Sequence, residues 1–260
     1  MATYFHEIWR CRYFWWSLVQ LDLKARYRGS VVGLGWSLLH PLAMTAIVCM
    51  VFQGVFGMDP LEYAAYALTG LACWSYFTAV AVEACHCLFR AEAYIRQHRA
   101  PLAIYPLRSA LGSLAHLLVA LVLVLVVAGL VHGFDRPAAL ACLVPGVLLL
   151  FVFGWSVAAI VGLTNVYFRD TQHLADVGFK FLFYATPVLY PAELLQERRL
   201  GWLVTYNPLA SLLDLIRIPV LEGRIPSALT YGIALLAVGV ATVIAGLLFS
   251  RLQRKVVLRF

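Results

Sequence analysis

Asn165-Val166-Tyr167-Phe168-Arg169-Asp170-Thr171-Gln172-His173, followed by Phe181-Leu182-Phe183-Tyr184-Ala185-Thr186-Pro187-Val188-Leu189-Tyr190-Pro191, joins a short charged elbow to an apolar segment broken by proline. The apolar part, about 174–190, carries Asp176 and Lys180 near its start and Pro187 near its end. At 1.5 Å per residue its ~17 residues reach roughly 26 Å, short of the ~30 Å hydrocarbon layer of a bilayer. Interrupted backbone at membrane depth is tolerated only against protein or a water-filled cavity, so a broken span of this kind points to passage of something across the membrane.

The rest of the chain agrees with a bilayer setting. Its 260 residues are 63% hydrophobic and 13% charged, and the mean hydropathy is +0.84. Soluble domains hold roughly half apolar and roughly a quarter charged residues. The net charge of +7 raises nucleic acid as a partner, but the cations are dispersed between apolar runs rather than gathered on a wet face, which excludes it. Cys11, Cys49, Cys73, Cys85, Cys87 and Cys142 show no framework spacing and fall mostly in apolar stretches, so disulfides are not expected. Tyr13 to Leu23 is interrupted by Ser17, Gln20 and Asp22 and followed by Lys24, Arg26 and Arg28, so no cleaved signal peptide is expected.

Working outward, long apolar stretches fall at about 36–56, 63–88, 110–131, 138–165 and 229–250, and the broken segment makes a sixth crossing together with the residues after it. The expected fold is an all-α integral membrane protein with six transmembrane helices and one domain, 1–260, without repeats or linkers. Its parts are an amphipathic interface helix (1–34), spans one to five (36–190), two short re-entrant outer helices (191–227), span six (229–250) and a tail (251–260). Six crossings put fifteen Lys and Arg on one side and only Arg136, Arg198, Arg199, Arg217 and Arg224 on the other. Positive charge accumulates in the cytoplasm, so both termini are expected there.

In the interface helix, Phe5, Ile8, Trp9, Trp16, Val19, Leu23 and Tyr27 fall on one face, with Phe14 and Leu21 intruding on the polar side. Such a helix either anchors the N-terminus at the lipid headgroups or docks a partner. Beyond span five, the Pro191–Ser227 segment is too apolar for a solvated loop. Asn207-Pro208 is a helix start and Pro219 a stop, which predicts short helices at about 192–204 and 208–218 that close the outer end of a path.

No G-x-x-x-x-G-K-[ST] loop is present, so any ATP-driven role needs another subunit. H-E-x-x-H and G-x-S-x-G are absent too, and no enzyme activity is expected. Cys85-His86-Cys87 invites a metal, but on a helix the two sulfurs diverge, and no metal site is expected. Glu83 is a lone carboxylate inside a span, a thin basis for proton coupling. Two elbows remain: Arg90 to Arg99, helical by propensity with a favourable Glu92 to Arg96 spacing, and Tyr167 to His173. Both read equally as ordinary positively charged turns.

Four blocks carry a more specific likeness: Asp22 to Pro41 with its Lys24-Ala25-Arg26-Tyr27-Arg28-Gly29 core; Tyr94-Ile95-Arg96 with Pro101 to Leu107; Asn165 to Pro191; and Asn207-Pro208-Leu209-Ala210. In this order they resemble the membrane (permease) subunit of type-2 ABC exporters of polysaccharides and polyol phosphates, the group serving O-antigen, teichoic acid and some capsules. Ala100, His40 and Arg108 depart from the family pattern.

The resemblance implies a homodimer in the bacterial inner membrane, bound to two ABC ATPase subunits that hold ATP and Mg, with no cofactor in this chain. It implies ATPase coupling at Glu92, Tyr94, Ile95, Arg96 and Arg99, with Arg169, Asp170 and His173 beside the same gate. A lipid-linked polysaccharide would cross between protomers. A hydrated glycan needs a polar or aromatic path, and the candidate lining residues are Trp36, Tyr66, Trp74, Tyr76, Phe77, Tyr184 and Tyr190. Each could equally belong to an interfacial aromatic belt. Asn207 and Pro208 would stand at the outer gate. The rival readings are an exporter of a drug or lipid, which would show an apolar pocket open sideways to lipid; a lipid-modifying enzyme, for which no facing acid, base or metal set is found; and an unpowered channel.

Overall fold

The computed structural model describes residues 2–28, 35–57, 59–97, 100–133, 137–192, 194 and 201–256, and the regular structure in them is entirely helical. Two amphipathic helices come first, α1 (Ala2–Arg10) and α2 (Arg12–Tyr27). They are followed by α3 (Gly35–Phe56) and α4 (Pro60–Ala81). Two 3-10 turns, Glu83–His86 and Phe89–Ala91, lead into α5 (Glu92–Gln97). Then come α6 (Ile104–His132), α7 (Pro137–Ala141), α8 (Leu143–Tyr167) and α9 (Thr171–Ala185). The chain ends with α10 (Gly201–Thr205), α11 (Pro208–Arg217), a π turn Ile218–Glu222 and α12 (Ala228–Val256).

Local signals set several of these boundaries. The Asp59 carboxylate accepts from Leu61 N at 2.9 Å and Pro60 opens α4, while Asn207 accepts from Leu209 N at 2.9 Å and Pro208 opens α11. In both cases the cap satisfies an orphan amide and proline gives up no needed donor. Gly133, at φ 67°, ends α6 in the left-handed region that other residues avoid.

Among the described residues four stretches are long and apolar enough to cross a bilayer: Pro60–His86, Ile104–Val131, Ala138–Tyr167 and Ala228–Gln253. A shorter apolar helix, Pro41–Phe52, lies within α3. Hydrocarbon is as apolar as leucine, so helices in it associate through close packing rather than water exclusion. Central α8 shows how: Gly146, Gly154, Ala158, Ala159 and Gly162 are buried along it, and it packs against α12, α6, α4 and α11. A Cβ on Gly154 would stand 2.0 Å from Tyr76 Oη. Lipid-facing positions are correspondingly bare, among them Val122, Val126 and Leu130 on α6 and Leu236 and Val243 on α12.

Two large apolar cores occupy opposite ends of the molecule, and a smaller cluster of Val48, Tyr63 and Ala67 lies beside the turn after α9. At one end Tyr76, Phe77, Leu121, Val124 and Leu150 close around Leu212, Leu213 and Ile216 of α11. At the other, which holds both elbows, Leu88, Ile95, Ile104, Tyr105, Leu163 and Phe249 close around Ile8 and Leu18 of the N-terminal helices. The first is the turn end of the molecule and the second its elbow end.

The structure corrects several expectations. The single N-terminal helix is two, broken at Cys11, where Trp15 Nε1 donates to Ile8 O at 3.1 Å. Along the stripe expected to face lipid, Ile8 and Val19 are instead buried against the protein, Trp9 and Trp16 are 64% and 50% exposed, and Phe14, expected on the polar side, turns inward onto Tyr94. Span three begins at Ile104 rather than near 110, because Pro106 falls in the first turn, where its missing amide costs nothing. The elbow starts as the 3-10 turn Phe89–Ala91 rather than as α-helix and is α-helical over Glu92–Gln97, beyond which residues 98–99 lie outside the described residues. The broken segment ends its helix at Ala185 and turns through residues 186–190. The first outer helix, expected at about 192–204, falls partly outside the described residues, as do Arg99 and the Trp36 side chain.

Candidate functional site

The groove between α3, α4 and α9 brings together two of the expected lining residues, Trp74 and Tyr184. Pro41 and Met44 of α3 face Trp74, Ser75 and Thr78 of α4, and Phe179, Lys180, Phe183 and Tyr184 of α9 close the third side around a cavity of about 340 Å³. Trp74 is its hub, with ring centroids 5.8 Å from Phe179 and, edge-on, 5.3 Å from Phe183. The Phe183 ring in turn stands edge-on to Tyr184 at 5.4 Å. Such offset and T-shaped pairs fix ring orientation and leave other faces open. Lys180 and Asp176 pair at 2.7 Å along the wet edge of α9, both substantially exposed. No residue of α9 is buried, so this helix is held from its ends and through its aromatic rings. The groove offers aromatic faces, hydroxyls and an ion pair.

Of the remaining lining candidates, Tyr184 is 77% exposed at the groove. Tyr190 donates its hydroxyl to Tyr184 O at 2.7 Å. Tyr66 is half-buried and engaged with the turn after α9. Tyr76 and Phe77 do not fit the expected role. Tyr76 is 2% exposed and donates to Leu150 O at 3.0 Å, and Phe77 is 1% exposed against Phe153, because both face the packed interior of the protomer. Asn207 caps α11 and also donates to Thr186 Oγ1 at 2.9 Å, while Pro208 is exposed at the helix start.

At the elbow end the expected coupling residues divide into a buried and an exposed set. Ile95 is buried in the core and the half-buried Tyr94 ring stands edge-on to Phe14 at 6.1 Å, so α5 is fastened to α2. Glu92 and Arg96 pair at 2.6 Å on the open face. Arg169, Asp170 and His173 are all exposed, and Asp170 makes no side-chain cap to α9. The second elbow meets the 3-10 turn that precedes the first, through residues that the sequence did not single out together: His86 Nε2 lies 2.6 Å from Gln172 Oε1. Cys85 and Cys87 are buried beside it, so the three residues of that motif do not converge. Among the described residues no group of three His, Cys, Asp or Glu could hold a metal ion.

Two further pairings escaped the sequence. Arg108, an odd charge in α6, forms a two-nitrogen fork on both oxygens of Asp22 in α2, tying the interface helix to the span. The only local hint is that each interrupts an apolar run. Arg217, counted simply as a charge on the outer side, is buried at 5% exposure in contact with Tyr66.

The model of a known family, the ABC-2 type transporter, matches residues 13–221, which hold the groove, both elbows and α11. The chain belongs to the ABC-2 type transporter family. Together with its apolar helices, this makes it a multi-pass membrane protein and a transport subunit. Among curated relatives, the ABC-2 chain is 30% identical over 195 residues to the O-antigen export system permease protein RfbA of Klebsiella pneumoniae, covering 74% of each chain. It is also 30% identical over 230 residues, 88% of each chain, to the protein of the same name from Myxococcus xanthus.

Proposed function

We propose that this chain is the transmembrane subunit of an ATP-driven exporter that carries a lipid-linked, O-antigen-like polysaccharide across the bacterial inner membrane. The observation that carries the reading is the Trp74 groove, an open aromatic strip along a helix with no buried residue, in a chain whose curated relatives are named O-antigen export permeases. Sugar rings present flat C–H faces, and aromatic faces accept them without fixing one register, which a moving polymer requires.

In this reading two copies assemble with two ATPase subunits, which supply ATP and Mg. The chain crosses six times with both termini in the cytoplasm, the polymer passes between protomers, and the helices at 191–227 dip into the outer leaflet. Glu92, Tyr94, Ile95, Arg96, Arg99, Arg169, Asp170 and His173 form the coupling surface, because α5 joins the elbow core through Ile95 while presenting Arg96 on its exposed side to a partner. ATP-driven closure must bias two membrane arrangements unequally, and a short helix fastened to the core on one side and exposed on the other can transmit that bias. Trp36, Tyr66, Trp74, Tyr184 and Tyr190 remain the proposed lining set.

One observation favours the export of a lipid instead. An apolar groove of about 320 Å³ between α1, α8 and α12 is lined by Ile8, Trp155, Ala245 and Phe249. Reconstitution decides: the purified chain with its ATPase partner, in vesicles, should transfer lipid-linked polysaccharide only when ATP is hydrolysed. Movement of simple phospholipid at the same rate, with no polymer transferred, selects the lipid reading, and failure of any ATPase to accompany the chain overturns both.

A further inference from the structure

Four consecutive carbonyls, those of Pro187, Val188, Leu189 and Tyr190, lie beyond the last turn of α9, and three side chains from other helices take all four. Arg217, the final residue of α11, donates Nη1 to Pro187 O at 2.7 Å and Nη2 to Val188 O at 2.9 Å. Tyr63 donates its hydroxyl to Leu189 O at 2.9 Å, and Tyr66 donates its own to Tyr190 O at 2.8 Å. Arg217 also holds Tyr66 itself: Nη1 donates to the phenol oxygen at 2.9 Å, and the guanidinium carbon lies 3.7 Å from the ring centroid. The arrangement depends on Gly70, where a Cβ would stand 2.3 Å from Val188 O and 2.6 Å from Arg217 Nη2.

Three features distinguish a releasable catch from a permanent staple. The guanidinium forms no ion pair among the described residues, although the Asp214 carboxylate one turn back on α11 acts on it electrostatically, and the groups it hydrogen-bonds are carbonyl and hydroxyl dipoles, which water can replace. Its Nε is buried without a hydrogen-bond partner, so the closed arrangement leaves one donor unsatisfied that an opened, hydrated one would satisfy. The turn also leads directly into the groove, since Tyr190 bonds Tyr184 O, and α9 has no buried residue, so with the turn free it is held by the His86–Gln172 contact at its far end and by the ring contacts with Trp74.

We propose that Arg217 is the positioning residue of a latch that seals the groove at its turn end: with Tyr63 and Tyr66 it holds the 187–190 turn against α4, and its release lets α9 move off Trp74. The proposal rests on reading the groove as the transport path. Its test needs neither nucleotide nor polymer, so its failure and the failure of the export reading can be told apart.

The full-length chain, purified with whatever ATPase accompanies it, is placed without nucleotide in sealed vesicles loaded with carboxyfluorescein. Arg217→Gln should release the dye at least tenfold faster than the parent, and Tyr66→Phe severalfold faster, both while still unfolding in a single cooperative thermal transition. Tyr66→Phe keeps the ring under the guanidinium and loses only the hydroxyl bonds, so it carries the test alone if Arg217→Gln does not fold. Dye retention equal to the parent in a folded Tyr66→Phe vesicle preparation overturns the latch, as does equal retention in folded Arg217→Gln.

Discussion

At the elbow end Glu92 and Arg96 pair at 2.6 Å with side chains 41% and 58% exposed, whereas at the turn end Arg217 is 5% exposed and bonds two carbonyls, a phenol oxygen and a ring face. The pair at the elbow end is intrahelical, four residues apart, and water screens it. The arginine at the turn end works across the fold, joining α11 to α4 and to the end of α9. Asp22 and Arg108 stand between these extremes, with the arginine side chain 17% exposed and the aspartate 47%. Burial and partner therefore separate the charges in this molecule: the exposed ones pair with near neighbours in the chain, and the buried Arg217 bonds backbone carbonyls from a distant segment.

Substitutions at the two ends can break that contrast. The largest effect is expected from Gly70→Val at the turn end, where the new side chain meets Val188 O and the Arg217 guanidinium; overpacking of this kind should cost about 3 kcal/mol, read as a lowered thermal midpoint in detergent. A midpoint like that of the parent would mean that the turn is already loose and the contrast false. At the elbow end, Ile95→Ala removes a buried contact between α5 and the core and should cost about 2 kcal/mol, measured in the same way. Glu92→Gln, which breaks only the exposed pair, should fall within about 0.5 kcal/mol of the parent. A cost for Glu92→Gln as large as that of Ile95→Ala would show that the exposed charges carry structure after all.

The same contrast explains what could be read without the fold. Most helix positions follow from local causes that the sequence by itself determined, namely apolar runs of span length, the Asn207-Pro208 start and the brevity of α9 before Pro187, but not the break at Cys11 or the start of α6 at Ile104. What faces what was decided only by tertiary structure. Spans apolar on every side carry no stripe that marks an inner face, so Trp74 at the groove and Tyr76 in the core look alike in sequence, and only close packing against Gly154 separates them. The bonds that bring the ends together join His86 to Gln172, Asp22 to Arg108 and Tyr66 to Arg217, partners 86, 86 and 151 residues apart. No local period or spacing links positions so distant, and each polar group finds its partner only when the helices have already closed around it.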